Sequence, residues 1–393
     1  MLIRKLKMLF TQKYGTWWTT DGINTTNKFE ALLYASKKKV NVKFLYHHNV
    51  WKNFDRSLLG KETVNSLFAQ RAQQLREKYD YLILYYSGGA DSHNILRTFI
   101  DNNIKLDEVC IKWPESLSKG KTYDPNIDNK DASNFWSEWD FAIKPSLDWL
   151  AKEHPEIKIT VKDYTAGINK VHVESLFEQM NMVRSMSMFN NSTVSNSERE
   201  YLDKDKTVGN IYGIDKPLLH LNEKNEVYMF FSDQALDQVG KSLDNPEGAE
   251  CFYWSHDFPI LAFEQANQLS KYYEANPDKR KFLWRPGEIS KDEKVLINQF
   301  QQSLGRSFLY TTWNNRFQTD KPVVENRKDK FYWFYDNEEF NTVRKKYLGS
   351  LTERLNMLDD SVLTGSSGDE ERAYKILASP LYYVTTLSDP LIK

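Results

Sequence analysis

The sequence has little cysteine. Cys110 and Cys251 are the only two cysteines among 393 residues, and they lie far apart with no CxxC pair. A disulfide framework, a zinc knuckle and an iron–sulfur cluster all need more thiols or closer ones, so this scarcity argues against each of them. A reducing, cytoplasmic setting is expected.

The sequence also lacks an excess of charge of either sign. It contains 53 Lys and Arg against 54 Asp and Glu, which gives a formal net charge of −1. Nothing in this balance indicates a nucleic-acid partner, although a local basic surface remains compatible with it. Aromatic residues, in contrast, make up 14% of the chain, and burial in a core is their default explanation.

Long hydrophobic runs are missing as well. No segment reaches the ~20 consecutive apolar residues that a membrane-spanning helix requires. Residues 1–10 are basic and briefly apolar, but they lack the apolar core and the small-residue cleavage site of a secretion signal. We therefore expect a cytoplasmic protein with no membrane segment.

Strand and helix patterns alternate regularly from residue 61 onwards. The pattern predicts a helix at 64–78 capped by Thr63, then strand 81–86, helix 92–102, strand 108–113, an aromatic helix over 134–153 broken at Pro145, and strand 157–161. A further strand is predicted at 207–212, a hairpin at 218–221 and 227–231, and a helix at 259–273 that begins with Pro259. The βαβαβ order predicts an α/β fold with a doubly wound, mostly parallel sheet.

Changes in pattern divide the chain into three parts. Residues 1–60 form an N-terminal extension with one predicted strand at 40–46, residues 61–240 form the α/β domain, and residues 241–393 form a mainly α-helical region. A late strand or hairpin is predicted at 330–335, and residues 364–371 read as an exposed loop because small and acidic residues cannot bury a core.

The most informative segment is a loop between the predicted strand 81–86 and the helix that follows. Its six residues are Ser87, Gly88, Gly89, Ala90, Asp91 and Ser92. Adjacent glycines let the backbone turn tightly around an anion, and the helix start directs unpaired N–H groups and a positive dipole end at the same point. The serine hydroxyls add donors, and a carboxylate is a suitable ligand for Mg²⁺. The segment predicts a phosphate-binding loop.

A second candidate phosphate motif fails on spacing. Residues 60–63, Gly-Lys-Glu-Thr, look like the end of a Walker A loop, but Asp55 stands where that motif requires its first glycine. Thr63 is better explained as a helix N-cap.

The segment 87–92 resembles the SGGxDS signature of the PP-loop, or N-type ATP pyrophosphatase, superfamily, which includes the synthetase half of asparagine synthetase and 7-cyano-7-deazaguanine synthase. The resemblance covers about residues 61–240. It implies a HUP-like fold and cleavage of ATP to AMP and pyrophosphate. It also implies that Ser87, Gly88, Gly89, Ala90 and Ser92 bind the phosphates and that Asp91 binds Mg²⁺. In the family, the end of the second strand, here Lys112 and Trp113, usually meets the adenine.

Two side chains near the loop have alternative interpretations. Lys112 either reaches a phosphate or is a solvated residue at a strand end. His93 follows the loop directly, and either it approaches a phosphate or it points to solvent from the first turn of the helix.

A second candidate site follows the predicted strand 207–212. Residues 213–217 read Gly-Ile-Asp-Lys-Pro, and they face the phosphate loop if that strand pairs beside strand 81–86. Asp215 is then a second Mg²⁺ ligand, and Lys216 stabilises charge on the phosphates. The alternative is a simple turn that closes the strand, since Gly, Asp and Pro all favour turns.

The missing residues narrow the chemistry that the resemblance implies. Position 2 is Leu rather than Cys, so the N-terminal glutaminase of asparagine synthetases is not expected. The four zinc-binding cysteines of deazaguanine synthases are absent too, and neither cysteine lies in a motif for sulfur transfer. A free amine, ammonia or a separate donor protein is the expected nitrogen source.

These observations lead to one functional expectation and two alternatives. The chain is expected to be an AMP-forming ligase that uses ATP and Mg²⁺ to activate an oxygen of a small-molecule substrate for C–N bond formation. One alternative places the acceptor on a tRNA or DNA base, gripped by the aromatic and lysine-containing outer regions. The other is a nucleotide-binding protein without turnover.

Overall fold

The computed structural model describes residues 18–25, 27–113, 115, 126, 139–163, 196–214, 216–233, 245, 248–283, 304–310, 338–364 and 373–388. The strands in these ranges are β1 (Trp18–Thr20), β2 (Ile23–Thr25), β3 (Lys43–Phe44), β4 (Tyr81–Tyr85), β5 (Glu108–Trp113), β6 (Lys158–Asp163), β7 (Val208–Tyr212), β8 (Leu218–Leu221), β9 (Glu226–Phe230), β10 (Ala249–Cys251), β11 (Leu363–Thr364), β12 (Ala373–Tyr374) and β13 (Tyr382–Thr386).

The α-helices in the same ranges are α1 (Lys28–Lys38), α2 (His48–Lys52), α3 (Val64–Lys78), α4 (Ala90–Asp101), α5 (Lys144–Glu153), α6 (Asn196–Leu202), α7 (Pro259–Ala275), α8 (residues 304–309) and α9 (Glu338–Asn356). None of these described helices is long and apolar enough to cross a membrane.

Five parallel strands form the central sheet, in the order β10-β7-β4-β5-β6. Their inner members are short apolar runs that are buried on both faces, as expected for parallel strands covered by helices and loops. The chain lays β5 and β6 on one side of β4 and then returns to place β7 on the other side. The sheet therefore changes winding direction next to β4, which makes this edge a topological switch point.

The helices α3 and α4 pack against each other beside this sheet, and α7 packs on α3. The Thr63 side chain accepts a hydrogen bond from the Ser66 N–H, so α3 begins where the sequence predicts. On one sheet face Leu82 and Leu84 join the main core, whereas Tyr81 and Ile83 on the opposite face form a smaller cluster with Cys110.

Most predicted elements of the central sheet are confirmed within one or two residues. The predicted strand 40–46 is shorter than expected, because only Lys43–Phe44 pairs with β1. The predicted helix 134–153 appears over 139–153 as a π-helical turn followed by α5, with Pro145 in the first turn of α5. The predicted strand 330–335, most of the loop 364–371 and the start of that helix lie outside the described residues.

The predicted boundary at residue 240 comes too early for this sheet. The strand β10 lies beyond it and pairs in parallel with β7, so the sheet continues into the region expected to be mainly helical. In addition, β13, near the C-terminus of the described chain, pairs with β9 in a separate antiparallel sheet. The α/β unit is therefore completed by residues from the third predicted part of the chain.

The N-terminal part also shares the main core. Trp51 of α2 packs against Phe231, which follows β9, at a ring-centroid distance of 4.8 Å, and Tyr46 packs against Trp254 at 5.1 Å. The Lys28 ammonium of α1 lies 2.6 Å from the Asp233 carboxylate, with both side chains fully buried. Removal of one partner from such a buried pair leaves an uncompensated charge and is strongly destabilising. The pair therefore holds α1 against the residues that follow β9.

Two histidines are shielded from water, His93 in a buried position and His47 in a half-buried one. The interpretation of His93 as a solvent-facing residue is wrong, because its ring is buried and its Nδ1 lies 3.1 Å from the Tyr86 hydroxyl. Burial, reinforced by the Arg97 guanidinium, lowers the pKa of His93 from 6.5 to about 4. Burial and the stacked His256 ring lower the pKa of His47 to about 3. Both imidazoles are therefore neutral in the folded protein near neutral pH.

We expect the free energy of unfolding to fall as the pH drops from 6.5 towards 4. The unfolded chain then takes up protons that the folded chain refuses, and for His93 this amounts to about 3 kcal/mol by pH 4. Urea denaturation at pH 7.5, 5.5 and 4.5 measures the effect. The variant His93→Gln should show a flatter pH dependence than the parent, whereas His220→Gln, on β8, should not. Equal slopes for all three proteins would contradict this account.

Candidate functional site

Two loops meet at the switch point of the sheet. Residues 87–92 follow β4, and residues 213–217 follow β7, whose Tyr212 is the register partner of Tyr85 in β4. A Cβ placed on Gly213 would lie 3.1 Å from the Ser92 backbone nitrogen, so the two backbones are in close contact. The expectation that the second loop emerges beside the first is confirmed.

The first loop is held in shape by its own hydroxyl groups. The Ser92 Oγ accepts a hydrogen bond from the Ser87 N–H at 3.2 Å and donates to the Gly89 carbonyl at 3.0 Å, while the Ser87 Oγ accepts from the Gly89 N–H at 3.3 Å. Gly88 has a φ of +71°, in the left-handed region that favours glycine. Gly89 is the N-cap of α4, and no side chain caps this helix end. The loop is thus preorganised around a helix N-terminus, with Ala90 as the first helical residue.

Asp91 is the centre of a polar cluster that draws on distant parts of the chain. Its Oδ1 lies 2.5 Å from the Lys216 Nζ and accepts a hydrogen bond from the Tyr310 hydroxyl, also at 2.5 Å. Its Oδ2 accepts from the Arg306 guanidinium at 3.2 Å. The Asp91 side chain is 19% exposed and that of Lys216 is 7% exposed, so the pair is largely shielded from water.

The charges in this cluster decide the ionisation of Asp91. Burial by itself raises the pKa of the carboxyl group, but the Lys216 ammonium and the Arg306 guanidinium outweigh burial and lower the pKa to about 2. Asp91 is therefore ionised at neutral pH. With two cations against one carboxylate, these three side chains carry a net charge of +1 beside a helix N-terminus, which favours anions.

Two tyrosines, Tyr253 and Tyr310, pack against the Asp91 cluster. The Tyr253 hydroxyl donates a hydrogen bond to the Asp91 backbone carbonyl at 2.7 Å and accepts one from the Asn94 side chain at 3.2 Å. Its ring stacks on Tyr310 with a centroid distance of 5.5 Å. The Lys216 ammonium lies 5.2 Å from the centroid of the Tyr310 ring, within the range of a cation–π contact. The two rings and the Asp91 carboxylate thus surround the lysine ammonium.

Sequence analysis missed three of these residues. Tyr253 lies two residues after β10, whereas Arg306 and Tyr310 lie in and just after α8, all in the region expected to be mainly helical. No motif surrounds them in the sequence. The only sequence signal for the two tyrosines was the high aromatic content of the chain. That content is explained by burial in a core, and it does not indicate which aromatic residues lie at the site.

Lys112 and Trp113 lie apart from the cluster. Lys112 lies on the sheet face opposite α4, with its ammonium 4.2 Å from the centroid of the Tyr85 ring. Lys112 is half-buried, so the alternative of a fully solvated lysine does not fit, and burial and the neighbouring Lys162 lower its pKa from 10.5 to about 7. Trp113 is buried and packs against Trp139 at 5.2 Å. Their predicted contact with adenine stays a prediction.

The remaining candidates for chemistry are Asp215, as a metal ligand, and the two cysteines. Asp215 lies outside the described residues, so its predicted role as a second Mg²⁺ ligand stays a prediction. Within the described part of the chain, no group of three or more His, Cys, Asp and Glu side chains is arranged to hold a metal ion. Both cysteines are buried, and burial raises the pKa of the Cys110 thiol to about 12. A protonated, enclosed thiol is a core residue and a poor nucleophile.

Comparison with protein-family models, with curated proteins and with solved structures found no match to this chain.

The conformation of Gly88 gives a direct test of the loop. A Cβ at this position would meet the Ile143 Cγ1 at 2.9 Å and the Ala142 Cβ at 3.2 Å, and φ is already positive. We expect Gly88→Ala to lower the free energy of unfolding by about 1–3 kcal/mol. The matched control is Gly349→Ala in α9, where nothing lies within 4 Å and alanine should be neutral or stabilising. Urea denaturation of both variants measures the difference, and similar effects would argue against a strained loop.

Proposed function

We propose that this chain is an ATP-dependent adenylating enzyme that cleaves ATP to AMP and pyrophosphate and thereby activates an oxygen of a second substrate for C–N bond formation. The single observation that carries the proposal is the convergence of Lys216 and Arg306 on Asp91 at the N-terminus of α4. An SGGxDS-type loop supplies the anion site there, and the two cations come from other parts of the chain.

The polyphosphate of ATP fits the charge of this cluster. A triphosphate is strongly anionic, and the cluster offers an excess positive charge together with the helix N–H groups and the serine hydroxyls of the loop. When ATP binds, Lys216 and Arg306 exchange the Asp91 carboxylate for phosphate oxygens, which are also anionic acceptors. Bound phosphates thus take the place of an internal counter-ion.

Asp91 fits Mg²⁺ for a related reason. Its carboxyl group is ionised at neutral pH, remains partly exposed and offers the hard oxygen donors that Mg²⁺ prefers. Mg²⁺ bound there would neutralise charge on the phosphates. Asp91 is then the residue that makes nucleotide binding depend on the metal, and Tyr310 holds its carboxylate in position.

The proposed reaction requires ATP, the second substrate and an amine, and no other reagent. An oxygen of the second substrate attacks the α-phosphorus of ATP, the bond between this phosphorus and the bridging oxygen to the β-phosphorus breaks, and pyrophosphate leaves. An amine then displaces AMP and loses a proton. The chain contributes position and charge neutralisation, because Lys216 and Arg306 stabilise the negative charge that develops on the leaving pyrophosphate.

We expect the two members of the ion pair to affect nucleotide binding in opposite ways. Lys216→Met removes a cation that would face the phosphates and should weaken pyrophosphate binding without metal about tenfold. Asp91→Asn removes the competing carboxylate, so it should bind metal-free pyrophosphate at least as tightly as the parent. Isothermal titration calorimetry with and without Mg²⁺ measures both, with Lys224→Met in the hairpin turn as control. Equal weakening by the Asp91 and Lys216 variants would contradict the proposed exchange.

The reaction itself is tested by product analysis. Labelled ATP is incubated with Mg²⁺, the protein and a cell extract as a source of the second substrate, and the products are compared for the parent and Asp91→Ala. The proposal requires AMP and pyrophosphate that depend on Asp91. Formation of ADP instead would overturn it, and tight ATP binding with no AMP under any condition would indicate a nucleotide-binding protein without turnover.

A further inference from the structure

A cavity of about 390 Å³ lies next to the Asp91 cluster. Residues 60–65, which lead into α3, form one side, Gln268 of α7 lies on another, and Phe308, Leu309 and Tyr310 form the third. This volume is within the range of about 300–1,000 Å³ that is common for small-molecule sites. Tyr310 lines this cavity and also donates its hydroxyl hydrogen to Asp91. One tyrosine ring therefore separates the cavity from the candidate nucleotide site.

The loop that borders the cavity is held firmly. Gly60 has a φ of +75°, and its N–H donates to the buried carboxylate of Glu264 in α7 at 2.7 Å. The Thr63 hydroxyl then caps α3. These contacts fix residues 60–63, the stretch that only superficially resembles a Walker A loop, and they keep the start of α3 at the cavity.

The polar groups of the cavity favour an anion. Lys61 lines it and forms no ion pair within the described part of the chain, and the positive end of the α3 dipole lies beside it. Glu62 also lines the cavity, but its carboxylate accepts hydrogen bonds from the side chains of Ser66, at 2.9 Å, and Gln70. Its Oε2 is thus engaged by neutral donors of α3, and the Lys61 ammonium is the cationic group of the lining.

The apolar groups favour a flat ring. Phe308 is 49% exposed, which is unusual for a large aromatic side chain, and it lines the cavity together with Leu309 and the Tyr310 ring. Aromatic surfaces of this kind gain most from contact with another ring or a flat apolar group. The side-chain amides of Asn65 and Gln268 also line the cavity, and the Gln268 Nε2 donates a hydrogen bond to the Glu264 carboxylate at 2.6 Å.

We propose that this cavity binds a small molecule that combines a flat apolar ring with one carboxylate or a similar anionic group. The anion lies at Lys61 and the start of α3, and the ring lies on Phe308 and Tyr310. The assignment of this molecule as the second substrate rests on the proposed adenylating function, whereas its binding does not require ATP.

Benzoate is the probe for this site, with benzamide as an uncharged analogue and acetate as an anion without a ring. We expect isothermal titration calorimetry of the full chain to show that benzoate binds more tightly than either analogue, also when pyrophosphate is present to occupy the loop at 87–92. Lys61→Gln and Phe308→Ala should each raise the Kd for benzoate about five- to tenfold. Matched controls are Lys224→Gln and Leu381→Ala, whose leucine is 41% exposed elsewhere.

Three results would overturn the inference: no binding of benzoate at 10 mM or below, equal binding of acetate or benzamide, or a benzoate Kd unchanged in both cavity variants. Circular dichroism and urea denaturation verify that the variants are folded, which is expected because Lys61 and Phe308 are exposed. The role as second substrate is tested separately, because benzoate should then inhibit AMP formation in the presence of cell extract. Absence of AMP formation would overturn the proposed function and leave the calorimetric result intact.

Discussion

The parallel pairing of β4 with β7 is the constraint on which the candidate site depends. Each strand ends in a loop, and the pairing brings the two loops so close that a Cβ at position 213 would lie only 3.1 Å from the Ser92 backbone nitrogen. Because the chain has already placed β5 and β6 on the other side of β4, this edge is the switch point at which α/β sheets commonly bind ligands. The ion pair between Lys216 and Asp91 joins the two loops there.

The edge of the sheet beside β7 also explains why residues beyond 240 belong to the α/β unit. β10 extends the sheet beyond β7, and the residue two positions after it, Tyr253, binds the backbone of Asp91. Arg306 in α8 and Tyr310 just after it add a guanidinium and a hydroxyl donor to the Asp91 carboxylate. A truncation at residue 240 would remove a strand of the sheet and three of the four side chains that hold Asp91 from outside its own helix. The Asp91 cluster and the neighbouring cavity thus share one structural support, the Tyr310 side chain.

Burial gives the polar groups of this molecule unequal roles. Asp91 stays ionised because two cations compensate the loss of water, whereas His93 stays neutral because burial is not compensated. On the other face of the sheet, burial and the neighbouring Lys162 also disfavour the charged form of Lys112 and lower its pKa to about 7. Sequence analysis assigned Lys112 and His93 to solvent or phosphate on position alone, and it was wrong about solvent because exposure depends on what packs above a strand or helix.

The sequence by itself determined the local features. The apolar runs at β4, β5 and β7, the Thr63 cap and the two glycines at 88 and 89 each express a preference of neighbouring residues, so the strands, helix starts and the loop between β4 and α4 were predictable. Only the tertiary structure decided which distant side chains meet at Asp91. Arg306, Tyr310 and Tyr253 carry no local signal for this role, since their approach is fixed by long-range packing of α8 and β10 rather than by their neighbours in sequence.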